Sequence, residues 1–401
     1  MKNKNFIFNK YKFNLLILTF GILVSIPFAF LYDLFNIELK LLIILAISIF
    51  ILIDNKIFNT KKGFKYLIIL VSIFLCYFFN FLLTGVGYIT YLIVQLVNLI
   101  FMLTIYLFVS SKIKANYIVS KFINISVFIS ILTLIAFIGI STDTIPFSSQ
   151  EIAGYDVNFN YLFGSVQKKL SFFQPHYYFL EPSYYAFFLG FSFLYLFQLK
   201  QIKFRFLKLI PILISGLILF SFTFYTALVI GLLSLLVYKI SNPFLNPRQL
   251  SKLFLVSFVY LSLISFQYVD KAKETIFIAS SSFNERVQRI NLSLEVVKTM
   301  NTTEILFGKG TGYITSDDSR DRGESNSYMK VFVENGLVVL TLWILIIYFL
   351  LRDNPPLLMY ILVSLHAVVL LETPFFILLI TLPSLIPENK KINQQIVKNG
   401  Q

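Results

Sequence analysis

Ser325-Asn-Ser-Tyr-Met-Lys-Val-Phe-Val-Glu-Asn-Gly336 runs directly into Leu337-Val-Val-Leu-Thr-Leu-Trp-Ile-Leu-Ile-Ile-Tyr-Phe-Leu-Leu351, a polar opening joined to fifteen residues without a charge. Lipid compels such an apolar stretch to be helical, because every backbone N–H and C=O must find its partner within the segment. Residues 325–351 therefore predict a single helix about 40 Å long at about 1.5 Å per residue, with roughly two turns projecting beyond the hydrocarbon. Ser325, Asn326 and Ser327 supply oxygens for its N-terminal cap. Asn326, Lys330 and Glu334 share one face at i,i+4 spacing, expected to meet external water or a cavity. They are either substrate contacts or a capped helix with a Lys-Glu pair.

Outward from this stretch, apolar segments recur near 14–31, 39–53, 66–83, 88–109, 119–140, 183–199, 207–221, 223–239, 253–269, 356–371 and 373–387. With 327–351 they predict an all-α polytopic membrane protein of about twelve transmembrane helices, a single integral membrane domain over residues 1–401. The 207–239 block is divided at the polar tip Ser221-Phe-Thr-Phe-Tyr-Thr226. Only 13% of residues are charged and 57% are hydrophobic, which excludes an ordinary soluble domain, where about 25% are charged. Two long loops interrupt the pattern, 141–182 and 270–326, and both are expected to carry short amphipathic helices.

The net charge of +14 resolves into topology once the basic residues are placed on this map. Most fall in alternate connections, from Lys2 and Lys4 through Lys61, Lys112, Lys203 and Arg248 to Lys390, which puts both termini in the cytoplasm and both long loops outside. No arginine-rich or aromatic nucleic-acid module is present. Cys76 is alone, so there is no disulfide framework. The first span is read as a retained anchor, since no small-residue cleavage site follows it. Neither a metal nor a cofactor is expected.

Within 270–326, Ser282-Phe-Asn-Glu285 has capping-box spacing, and Val287, Ile290, Leu294 and Val297 form one apolar stripe, predicting a helix over 283–300. Arg286 and Arg289 lie three residues apart beside that stripe. Such a pair suits a pyrophosphate through bidentate, charge-assisted bonds, while Glu285 and Arg289 equally have the order of a surface ion pair. Gly308, Gly310 and Gly312 lack nucleotide-loop spacing. They make a plain turn, present N–H groups to an anion, or pack closely under a helix. In the first loop, Gln174-Pro-His-Tyr-Tyr-Phe-Leu-Glu-Pro-Ser-Tyr-Tyr185 leads into a span. Pro182 and Glu181 fit a helix start, and Glu181 is also placed to accept a proton from a sugar hydroxyl. His176 is a second acid/base candidate. Tyr177, Tyr178 and Tyr184 could stack on sugars or form an interfacial belt, with Ser183 beside them. Gln95 and Asn98 share a face inside a span, as does His366 inside another, and are either functional or interhelical glue.

The layout resembles the Wzy-type O-antigen and capsule polymerases and the related O-antigen ligases. The features that carry it are Phe179-Leu-Glu-Pro-Ser-Tyr-Tyr-Ala-Phe-Phe188, Ser221-Phe-Thr, Arg286-Val-Gln-Arg-Ile290, Phe307-Gly-Lys-Gly-Thr-Gly312 and Asn326-Ser-Tyr-Met-Lys-Val-Phe-Val-Glu-Asn-Gly336, in the family order. The resemblance implies a GT-C-like glycosyltransferase of the bacterial inner membrane. It would transfer a growing glycan from undecaprenyl diphosphate to a newly flipped lipid-linked repeat, working beside a flippase and a chain-length regulator. Arg286 and Arg289 would then hold the diphosphate, Glu181 would be the general base, and Asn326, Ser327 and Glu334 would line the cavity. Ligases carry a His immediately before the last motif's Asn. Here Ser325 stands there, which favours polymerase. A flippase would place cations along its spans, and a non-catalytic scaffold is a third reading.

Overall fold

The computed structural model describes residues 13–21, 37–55, 61–84, 89–112, 115–152, 155–160, 164–169, 172–177, 182–199, 202–219, 221–275, 291–314, 326–366, 368, 371 and 373–385. Each of the twelve apolar segments contains a helical stretch among the described residues. After a helical stretch at 13–21 come α1 (Ile37–Asn55), α2 (Lys61–Thr84), α3 (Ile89–Lys112) and α4 (Ala115–Ser141). Then follow α5 (Pro182–Gln198), α6 (Arg205–Ile218), α7 (Phe222–Ser241) and α8 (Pro247–Thr275), a helical stretch at 291–298, and α9 (Thr302–Phe307). Next come α10 (Ser327–Leu351), α11 (Pro355–Ser364) and α12 (Pro374–Thr381), which continues into a 3-10 turn at Leu382–Leu385. By length and composition, Ile118–Ser141, Thr223–Ser241 and Ser327–Leu351 can cross a membrane, so this is a helical membrane protein.

The polar tip inside 207–239 is real: α6 stops at Ile218 and α7 begins after Ser221. Gly216 lets the two approach, because a Cβ there would meet the Phe224 ring at 2.1 Å. At the centre runs α5, whose residues from Tyr185 to Leu196 are buried all round, the signature of a helix walled in by protein. Its neighbours are tied to it by small polar groups. Ser192 meets Ser126 of α4 at 3.0 Å, Tyr185 meets Thr133 at 2.7 Å, and Tyr360 of α11 donates to the Phe187 carbonyl at 2.7 Å. Where the surroundings are as apolar as leucine, such bonds and close packing hold helices together.

The first loop departs from expectation. In place of amphipathic helices, β1 (Ser148–Ile152), β2 (Tyr155–Asn160), β3 (Gly164–Lys169) and β4 (Phe172–Tyr177) form an antiparallel meander in sequence order. Ser148 pairs with Phe159, and Asn158 with Val166. In the last ladder Ser165 faces Tyr177 while the adjacent Val166 faces Pro175, so His176 is the extra residue of a bulge. Pro175 has no N–H to give, and a bulge on an edge strand is where a sheet accepts it.

The helix expected over 325–351 is the second departure. Gly336 has φ 76° and ψ 178°, which divides α10 into 327–335 and 337–351. The second part alone is about 22 Å long at 1.5 Å per residue. The chain therefore does not project two turns into water: Asn326 is 2% and Glu334 1% exposed.

Candidate functional site

Three stretches distant in sequence meet around the first half of α10. At its start the Asn326 side chain caps the helix, accepting from the Met329 N–H at 2.8 Å. The Ser327 N–H donates to the Leu365 and Val368 carbonyls, both at 3.1 Å. Its Oγ donates to the Val368 carbonyl at 2.5 Å and accepts from the Leu371 N–H at 3.4 Å. Tyr328 Oη donates to the Leu362 carbonyl at 2.6 Å. The connection after α11 is thereby fastened to the cap. His366 lies just past the end of α11, its ring 4.8 Å from that of Tyr328.

The other end of the half-helix leaves carbonyls that no further turn can satisfy. The glycine segment supplies the donors: Lys309 N–H to the Val333 carbonyl at 2.8 Å and Gly310 N–H to the Glu334 carbonyl at 3.1 Å. Asn80 of α2 adds its Nδ2, 2.5 Å from the Glu334 carbonyl and 3.3 Å from Asn335 Oδ1. Thr311 Oγ1 donates to that same Oδ1 at 2.6 Å, and Ile314 N–H donates to the Glu334 carboxylate at 3.1 Å. Two glycines permit this crossing. A Cβ on Gly308 would stand 2.2 Å from the Glu334 carbonyl oxygen, and one on Gly336 would stand 2.2 Å from the Leu306 carbonyl oxygen. Both have positive φ, 86° and 76°. Of the roles open to Gly308, Gly310 and Gly312, close packing under a helix is the one realised at Gly308, and all three are buried.

Beside the first half of α10 lies a cleft of about 180 Å³, lined by Gln95 and Asn98 of α3, Ser327, Lys330 and Val331 of α10, and Leu371 and Thr373 ahead of α12. Lys330 is half-buried there. The N-terminal ends of α10 and α12 both border the cleft, with Asn326 and Thr373 as their caps. Each helix start contributes partial positive charge. The described lining holds one ammonium, two amides and two hydroxyls, and no carboxylate, a donor set suited to an anion or to hydroxyl-bearing groups.

Sequence candidates thus separate. Lys330 and Ser327 reach the cleft wall, together with Gln95 and Asn98. Glu334, expected to face a cavity, has its carboxylate turned to the Ile314 amide, and the Asn326 oxygen is engaged in the cap. The Asn326 cap is the one its residue type predicts, and the burial of Glu334 goes with the break at Gly336. Ser183 is buried, and Tyr184 packs half-buried against the apolar core. His176 and Tyr177 are placed by their strand backbone alone, while Arg286, Arg289, Glu181 and Tyr178 lie outside the described residues. Asn80, Thr311, Asn335 and Thr373 were not singled out from the sequence. For Asn80 the available signal was a lone amide in Phe78-Phe79-Asn80-Phe81, since polar side chains in apolar spans are costly unless they have a task. No family model, curated protein or solved structure matches the chain.

Proposed function

We propose that this protein is a membrane glycosyltransferase that joins lipid-linked oligosaccharide repeats at the outer face of the cytoplasmic membrane, a polysaccharide polymerase with about twelve spans and both termini inside. The observation that carries the reading is the polar, lysine-bearing cleft set among apolar helices beside a broken helix. Irregular backbone at such a place is tolerated where it is enclosed by protein or lines a cavity, and helix starts turned toward a cavity favour anionic substrates. A lipid-linked glycan fits both properties, since it brings an apolar tail, a diphosphate and hydroxyl-rich sugars to one boundary. The motifs that resemble the Wzy-type polymerases and ligases include Asn326 to Gly336 and Phe307 to Gly312, the two segments that cross here.

In the reaction, an acceptor sugar hydroxyl forms a glycosidic bond to the donor's anomeric carbon. The bond from that carbon to the diphosphate oxygen breaks, and the lipid diphosphate leaves with the electron pair. The hydroxyl proton passes to a base, for which Glu181 is the proposed residue. Arg286 and Arg289 would offset charge growing on the leaving group, an interaction stronger in a dry site than in water.

Purified protein supplied with defined undecaprenyl-diphosphate-linked repeats should yield a ladder of lengthened lipid-linked glycans, and Arg289→Lys should suppress it sharply by losing the bidentate fork while keeping the charge. Single repeats persisting with wild-type protein would contradict the reading. Transfer of finished chains to a separate lipid acceptor would make it a ligase, and transbilayer movement without new linkages a flippase.

A further inference from the structure

We infer that the end of the bundle where α5, α7 and α10 finish and α6, α8 and α11 begin is a binding site for the headgroup of an anionic phospholipid, with Arg205 and Lys239 as its cations. The inference needs the chain to be a helical membrane protein and stands apart from the polymerase reading. The whole second half of α10 separates this end from the cleft.

Side chains fasten the six elements together here. Gln198, the last residue of α5, accepts from Asn354 Nδ2 at 2.7 Å. Ser251 Oγ of α8 donates to the Arg352 carbonyl at 2.9 Å, and Arg248 pairs with Asp353 at 2.8 Å. The Asp353 carboxylate is thereby occupied. Two further cations gather on the Phe197 ring, the Arg205 guanidinium 6.0 Å and the Lys239 ammonium 5.7 Å from its centre. Arg205 also donates to the Phe197 carbonyl at 3.4 Å, which uses one of its five N–H groups. Among the described residues no carboxylate lies within ion-pair distance of Arg205, Lys239 or Arg352. Gln198 Nε2 and Arg352 Nε are buried donors without an acceptor. Such donors are nearly always satisfied in folded proteins, so the protein leaves here a positive potential that an anion would offset.

Two observations make that anion a lipid's. The first is length. α6 has 14 residues, about 21 Å at 1.5 Å per residue, against about 30 Å of hydrocarbon. It turns Phe206, Leu207, Ile210, Ile214 and Leu217 outward, so lipid lies along it and thins to match it. Thinning brings headgroup phosphates down to Arg205, the first residue of that helix. The second is a pair of outward aromatic rings. Phe204, just ahead of α6, is 74% exposed, and Phe244, between α7 and α8, is 85% exposed. Phe204 also has φ 55°, a left-handed conformation that is costly for a bulky residue. In water its ring gains nothing in return, whereas among acyl chains it is buried beside the headgroup. Cations at the ends of packed helices, flanked by such rings, are the chemistry that holds an anionic headgroup at a membrane boundary.

The test uses the full-length protein in detergent, with bound lipid counted by native mass spectrometry during titration with phosphatidylglycerol, phosphatidylcholine or glycerol phosphate. Phosphatidylglycerol should bind more tightly than phosphatidylcholine, whose phosphate is neutralised by its own choline. Lys239→Gln should weaken phosphatidylglycerol binding by about fivefold, the equivalent of the ~1 kcal/mol that one cation contributes near a charged membrane surface, and Arg205→Gln by at least as much. Lys239→Arg should keep the affinity, which separates loss of charge from misfolding. Lys252→Gln, at an exposed lysine in the second turn of α8, should leave it unchanged, which separates a site from a diffusely basic end. Equal affinity for the two lipids, or equal losses from Lys239→Gln and Lys252→Gln, would overturn the site. Displacement of phosphatidylglycerol by an equal concentration of glycerol phosphate would overturn the assignment to a lipid. A protein that binds phosphatidylglycerol as expected and forms no glycan ladder keeps this site and loses the polymerase reading.

Discussion

Residues 327–335 and 337–351 are consecutive parts of α10, yet they solve different problems. The first part buries Ser327, Glu334 and Asn335 and has its terminal carbonyls satisfied by Lys309, Gly310 and Asn80. The second has two hydroxyl-bearing residues, Thr341 and Tyr348, of which Thr341 is bonded back to the Leu337 carbonyl at 2.8 Å, and turns Leu337, Leu345 and Phe349 outward. A regular helix meets all its own backbone needs and can face lipid with any apolar side chain. A helix interrupted at Gly336 cannot, so it survives where a second segment supplies donors. The contrast shows why the glycine segment and the Asn-Gly end of the half-helix belong to one device, and why the polar cleft adjoins that half alone.

The comparison breaks most completely at the crossing glycines. Gly336→Ala or Gly308→Ala adds a Cβ against a backbone carbonyl, which no rotamer can relieve, beyond the ~1–2 kcal/mol cost of a left-handed conformation. Either variant should lose folded protein, read as a collapsed monodisperse peak in detergent chromatography, and a normal peak with normal Tm would refute the crossing. Next in size comes the buried carboxylate. Glu334→Ala leaves the Ile314 N–H without that acceptor and should cost about 1–3 kcal/mol, whereas Glu334→Gln retains an oxygen and should cost less. Equal effects of the two in thermal unfolding would show that the bond contributes nothing. Thr311→Val removes one donor to Asn335 and should cost about 1 kcal/mol by the same measurement. In the second half, Leu345→Ala should change stability by less than about 0.5 kcal/mol. A larger loss would mean that this face packs on protein.

Much of this was legible in the chain. Among the described residues, hydropathy placed a helical stretch in every apolar segment, and the Asn326 cap followed from residue type. Two further features have local signals that their surroundings mask. Tyr155-Asp-Val-Asn-Phe-Asn160 alternates with period two, a strand signal, although its polar surroundings suggested only a loop. Asn335-Gly336 is a turn dipeptide, yet the uncharged run behind it argued for one unbroken helix. The partners of the crossing were beyond reach: Asn80 and Glu334 are 254 residues apart, and local pattern carries no record of such a contact. Gln95 and Asn98 were visible as a polar face, but their position across the cleft from Lys330 depends on how the helices between them pack.

The proposed function requires that the cleft lined by Asn98 and Lys330 open to the outer face and receive a lipid diphosphate. It is tested most directly by Asn98→Cys in a Cys76→Ser background, which leaves Lys330 in place. A membrane-impermeant maleimide should label this cysteine on intact cells, and farnesyl diphosphate should slow the labelling. Labelling only after permeabilisation, or at a rate indifferent to the diphosphate, would contradict the account.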